Sequence, residues 1–194
     1  RVFAAIVVLL LAALAAWPLA GAHNLYGAAL LALSVWLLRQ DIARRTVMQQ
    51  GLTRFIAVCL LSGYFWLAVG GAVIAVAGLA PGGPAYDAAL HALLLGFVFS
   101  MVFGHAPIIF PAVLRVAVPY RPWFYVPLAL LHAALVLRLA GAIAQAQRQP
   151  SVAQTLANEA TVPLIMWPDE LKAYIEAEVV KYVRLAKEAG IQPE

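Results

Sequence analysis

The chain predicts an all-α fold, a polytopic transmembrane helix bundle of about five spans with a short external helical tail. Three observations carry that prediction. Of its 194 residues, 64% are hydrophobic and only 11% charged, and the mean hydropathy is +0.89; soluble domains carry about 25% charged residues. Apolar runs approaching the ~20 residues needed to cross a bilayer recur along the sequence. The arginines gather in two of the connections between those runs and are absent from two others, which is the pattern of a chain that alternates sides of a membrane.

The runs fall at roughly 2–20, 24–38, 55–80, 88–113 and 123–143. The first, RVFAAIVVLLLAALAAW, has a signal-like core. Its length and the spans behind it favour a membrane helix. It begins with Arg1 rather than Met, which predicts a chain that extends or was processed upstream. Pro18 and Gly21 punctuate the turn into the second run, and Pro81-Gly82-Gly83-Pro84 the turn into the fourth. The 39–54 connection carries Arg39, Arg44, Arg45 and Arg54, and the 115–122 connection carries Arg115 and Arg121. The positive-inside rule puts both in the cytoplasm, and with them the N-terminus, leaving residues beyond about 144 outside after five crossings. Arg138, near the outer end of the fifth run, is the exception, predicted to snorkel to the interface. These features predict a bacterial inner-membrane protein whose first partner is the lipid bilayer. The basic balance resides in span-flanking arginines and gives no ground for a nucleic-acid partner.

The domain division is read as 1–143, a transmembrane helical domain, and 144–194, a soluble periplasmic helical tail. In the tail, AQAQRQPSVAQTLANEATVP is polar, with Pro150-Ser151 as a helix start. PDELKAYIEAEVVKYVRLAKEAG then reads as one amphipathic helix, with early acids, late bases and Gly190 as its stop. Leu171, Tyr174, Ile175, Val179, Tyr182, Val183 and Leu185 form its apolar stripe.

Four histidines stand out in a chain with so few polar residues: His23, His91, His105 and His132. Ionisable residues in membrane segments are costly and mark functional sites by default. His91 and His105 close the run HALLLGFVFSMVFGH, fourteen positions apart; on an α-helix this is nearly four turns, one face and roughly 21 Å of axis. They therefore belong to two sites, each needing its own partner. An outer pair of His23 and His91 is the easier metal or haem site, and a pair of His105 and His132 requires displaced helices. Pro107 and Pro111 predict local unwinding around His105, and Gly104 a close approach by a helix or a flat macrocycle. Asp87 is read as a helix cap or a proton entry beside His91. The alternative for every histidine is a hydrogen bond to a neighbouring helix. Gly63, Gly70, Gly71 and Gly78 predict close helix packing. The lone Cys59 allows no internal disulfide. No HExxH, Walker or GxGxxG pattern occurs, so no catalytic residue is assigned.

Two resemblances add to this. SGYFWLAVGG (62–71), YDAALHALLLGFVFSMVFGHAPIIFPAVL (86–114) and LLHAALVLR (130–138) make residues 1–140 similar to NnrS-like bacterial membrane proteins. That likeness implies haem b or copper, held by the histidines, and nitrogen-oxide or redox-related chemistry. QRQPSVAQTLANEATVP and WPDELKAYIEAEVVKYVRLAKEAGIQPE make residues 142–194 resemble the C-terminal end of tripartite tricarboxylate transporter receptors (the Bug or TctC family). That implies a periplasmic location and a transport-associated partner, but no ligand residue, because the family's binding lobes have no counterpart here. The readings left open are a haem- or copper-binding protein, a non-enzymatic accessory subunit of a membrane complex or periplasmic partner, and a transport component.

Overall fold

A computed structural model describes residues 1–115, 119–147 and 168–188. It forms two compact units, Arg1–Ala146 and Gln147–Glu194. The described residues are helical and contain no strand. In order they are α1 (Val2–Ala15), α2 (Ala22–Gln40), the four-residue α3 (Ala43–Thr46), α4 (Gly51–Ala77) and α5 (Pro84–Leu90). A π-helical segment (His91–Val98) joins α5 directly to α6 (Phe99–Leu114). A 3-10 turn (Pro122–Phe124) leads into α7 (Tyr125–Gln147), and α8 (Pro168–Glu188) belongs to the second unit.

Among the described residues three helical stretches are long and apolar enough to cross a membrane: α4, the continuous Pro84–Leu114, and Pro122–Gln145. The first two predicted runs are also helical but fall short of that standard. α1 has 14 residues, about 21 Å at 1.5 Å per residue, against a hydrocarbon core of about 30 Å. α2 carries His23 and Asn24 at one end and Arg39 and Gln40 at the other.

α4 is the central helix, far more covered by the rest of the chain than the other two long stretches. Glycines set its contacts. A Cβ on Gly27 of α2 would stand 2.3 Å from the Ala75 backbone nitrogen and 2.7 Å from the Gly71 carbonyl oxygen, so α2 and α4 touch backbone to backbone. Two side chains fasten that seam: Asn24 Nδ2 donates to the Ala75 carbonyl and Ser34 Oγ to the Tyr64 carbonyl, each at 2.8 Å. On its other side α4 runs antiparallel to α5 and α6. Gly70 faces Leu93, Gly96 faces Trp66, Gly63 faces Met101, and Gly104 faces Cys59. α7 runs parallel to α4, with Leu128 against Phe55 and Cys59, and Leu135 against Trp66. Cys59 is thus a buried core residue.

Two expectations are corrected. GHAPIIFP is not unwound: α6 continues through Pro107 and Pro111 and ends where Arg115 turns left-handed at φ 53°. Proline removes one amide donor apiece, and a helix within a bundle absorbs that loss without breaking. The irregularity lies one segment earlier, in the π-helical residues 91–98, whose i→i+5 bonds hold an extra residue per turn. A register counted at 3.6 residues per turn therefore does not carry from His91 to His105.

In the second unit α8 starts at Pro168 as expected. Leu171, Ile175 and Val179 recur at four-residue spacing along it, and Lys181 Nζ bonds Glu178 Oε1 at 2.9 Å. The Pro150-Ser151 helix start, Gly190, and the side chains of Tyr182, Val183 and Leu185 lie outside what is described.

Candidate functional site

The helix seams place the four histidines at four levels of the first unit. Near the α4 C-terminus, His23 lies beside Gly78, and its ring meets Trp17 edge-on with centroids 4.3 Å apart. His91 falls between Ala89 and Leu93, which flank Gly70, about 12 Å along the axis from the level of Gly78. His132 is bonded to Trp66. His105 follows Gly104, which abuts Cys59, about 10 Å beyond the level of Trp66. These are levels of the backbone; the rings of His91 and His105 reach back one turn, to the Asp87 and Met101 carbonyls. Among the described residues no group of three or more His, Cys, Asp and Glu side chains is placed to hold a metal ion.

His91 sits in a charged cluster. Its Nδ1 lies 2.8 Å from the Asp87 carbonyl oxygen and 3.4 Å from Asp87 Oδ1. A carbonyl only accepts, so Nδ1 carries the hydrogen and Nε2 keeps its lone pair. The Asp87 carboxylate makes no cap to its own helix; Oδ1 accepts instead from the Arg138 guanidinium at 2.9 Å. Arg138 thus has a carboxylate partner on another helix, and the pair ties α5 to α7.

His105 repeats the local geometry with different surroundings. Its Nδ1 donates to the Met101 carbonyl at 2.7 Å, one turn back, again leaving Nε2 as a free base. The ring is exposed, and Val102, Ile108 and Ile109 nearby are exposed too.

His132 is the opposite case. The indole Nε1 of Trp66 donates to its Nδ1 at 2.9 Å, so the neutral ring carries its proton on Nε2, a buried atom without a hydrogen-bond partner among the described residues. Trp66 reaches this position because residue 96 is glycine: a Cβ there would stand 2.5 Å from Trp66 Cβ and Cγ. Trp66, Ala92 and Leu135 form the surrounding core.

The donor chemistry therefore separates the histidines. His91 and His105 hold the tautomer of a ligand, with one ring nitrogen anchored on a carbonyl and the other available. His132 is already committed to Trp66. A metal held by protein atoms alone ordinarily needs three or four ligands, whereas haem iron needs one or two axial ones.

The family model described as a domain of unknown function (DUF8744) matches residues 1–167. The chain belongs to that family. No curated protein and no solved structure matches the chain. The DUF8744 match takes in the whole first unit, including the four histidines and their partners, crosses the 143/144 boundary read from composition, and stops where α8 begins.

Sequence reasoning missed two features within that DUF8744 region. HALLLGFV has no proline, and its one glycine, Gly96, does not by itself announce a π-helix. Nothing in the sequence marks Trp66 as the partner of His132, to whose Nδ1 its indole nitrogen donates. A tryptophan opposite a glycine, with a histidine on a third helix, is a signal only once the helix pairing is known.

Proposed function

We propose that this is a bacterial inner-membrane protein of five spans, with the N-terminus cytoplasmic and the tail periplasmic, that presents histidine ligands to haem b. One observation carries the reading: the Nδ1 of His91 and of His105 is each tied to a backbone carbonyl one turn back, which leaves Nε2 of each as a donor. The two lie about 16 Å apart along α4, measured between Gly70 and Cys59, so each serves its own haem. Haem bound there would supply a redox-active, gas-ligating iron, and His91 and His105 would hold it, each by the Nε2 that its anchored Nδ1 orients. The NnrS-like resemblance supports redox or nitrogen-oxide-related chemistry for such a centre. The receptor-like tail supports a periplasmic, transport-associated partner.

A second reading is a non-enzymatic accessory subunit whose histidines hold helices together. The Trp66–His132 bond and the Asp87–Arg138 pair favour it. An absorption spectrum of the full chain, purified after haem-supplemented expression, separates the two. The haem reading expects a Soret band that His105→Ala and His91→Ala each reduce by about half, and that His132→Ala leaves in place. A wild-type protein without that band leaves the accessory reading standing.

A further inference from the structure

The geometry points to a binding site for one anionic phospholipid at the C-terminal end of α2, with its headgroup between Arg39 and Arg44 and its acyl chains in the two grooves that flank the helix there. One groove, about 490 Å³, runs beside Ile6, Val35, Trp36 and Arg39. The other, about 580 Å³, is lined by Val35, Leu38, Arg39, Arg44 and Leu61. Val35 and Arg39 belong to both, so a single molecule with two tails straddles α2 at Val35 and brings its head to Arg39. The walls are apolar apart from the arginines and Gln40. An amphiphile with a negative head matches that division of chemistry; an inorganic anion would leave the apolar part of both grooves unused.

Charge is the second support. Arg39, Arg44, Arg45 and Arg54 are exposed, and among the described residues no ion pair joins any of them to a carboxylate. Asp41, the one acid in this connection, is engaged twice. Its Oδ1 accepts the Ala43 backbone N–H at 2.8 Å, and its Oδ2 accepts the Tyr64 hydroxyl. Both bonds draw it toward α3 and α4. Ile42 and Met48 of the same connection are exposed, at 68% and 85%. A segment that combines uncompensated guanidiniums with bare apolar side chains is suited to the headgroup region of a bilayer. Phe3 packs on Trp36 with ring centroids 4.8 Å apart, so the start of α1, with Arg1, comes to this same end of the unit.

The site rests on the membrane reading and is independent of the haem reading. Native mass spectrometry of the full chain in neutral detergent tests it, with phosphatidylglycerol, phosphatidylcholine and inorganic phosphate as probes. Phosphatidylglycerol is expected to be retained about tenfold more strongly than phosphatidylcholine, and millimolar inorganic phosphate is expected not to displace it. The double variant R39Q/R44Q should erase the preference, whereas R115Q/R121Q, in the other basic connection, should keep it. Leu61→Trp fills one groove without touching charge and should also weaken retention, so a folding defect in the arginine variant does not decide the matter. Equal retention of the two lipids overturns the site, as does wild-type preference in R39Q/R44Q. Displacement by phosphate reassigns it to a free anion. A chain stripped from membranes by alkaline carbonate would instead defeat the membrane reading itself, and an unchanged Soret band in R39Q/R44Q would keep the haem reading separate.

Discussion

Trp66 joins three helices through two contacts of different kinds. Its body occupies the space that a side chain at residue 96 would take, and its indole N–H meets His132 Nδ1. Trp66→Phe keeps most of the packing and removes the donor, leaving Nδ1 without its partner; interhelical hydrogen bonds in membranes average ~0.6 kcal/mol and reach ~1.7. A loss of about 1 kcal/mol is expected in denaturant-induced unfolding of the purified chain. Gly96→Ala acts on the body. Its methyl would lie 2.5 Å from Trp66 Cβ and Cγ, and overpacking of this kind costs about 1–3 kcal/mol. Because both substitutions act on one ring, their effects should be strongly non-additive in a double-mutant cycle. Additive losses would show that Gly96 and His132 do not communicate through Trp66. The histidines themselves were legible as unusual residues in an apolar chain, and His91 and His105 keep the tautomer of ligands. Their levels along the bundle were not legible, because these depend on which glycine faces which helix, and that is a property of two segments at once.

At the scale of helices, apolar runs and Pro/Gly breaks announced where each element lies, because burial in lipid and in a bundle core impose the same composition. The π-helical segment escaped because nothing local requires it. The segment holds an extra residue in its turn, with Leu93 against Gly70 and Gly96 against Trp66 inside it. Deleting Leu94 removes that extra residue and rotates α5 relative to α6. The expected outcome is loss of the Asp87–Arg138 pair, since Asp87 lies on the rotated side. The pair itself is tested by charge reversal. Asp87→Arg and Arg138→Asp should each lower the thermal midpoint by a few degrees, and the doubly exchanged protein should recover most of it. If the deletion leaves the energetic coupling between positions 87 and 138 intact, the π-helical register does not position them. Arg138, read from sequence as a cation reaching for the interface, has a partner that no single-position rule names: it lies on another helix, 51 positions earlier.

For the whole molecule, the arrangement of charge gives the topology its test. One end of the first unit gathers Arg1, Arg39, Arg44, Arg45 and Arg54, together with the aromatic cluster of Phe55, Tyr120, Phe124 and Tyr125. The opposite end holds His23, Gly78 and the Asp87–Arg138 pair, in which the one arginine is neutralised by the one acid. Among the described residues of the first unit, uncompensated cations therefore mark a single end, which the proposed topology, by the positive-inside rule, puts in the cytoplasm. Three stretches have the length and apolarity to cross alone; α1 and α2 cross, in this reading, as an antiparallel pair, with α2 sealed on α4 through Gly27 and Gly71. Cys59 is buried and its replacement by alanine removes a small core side chain, so Cys59→Ala gives a background without thiols. Single cysteines at Gln49 and Gly82, in the two kinds of connection, should then respond oppositely to a membrane-impermeant maleimide. Gly82→Cys should label in intact cells, and Gln49→Cys only after permeabilisation. Labelling of both from the same side would mean that α4 does not span and would reduce the crossings below five. A reversed pattern would keep the helices but place the arginine-rich end outside.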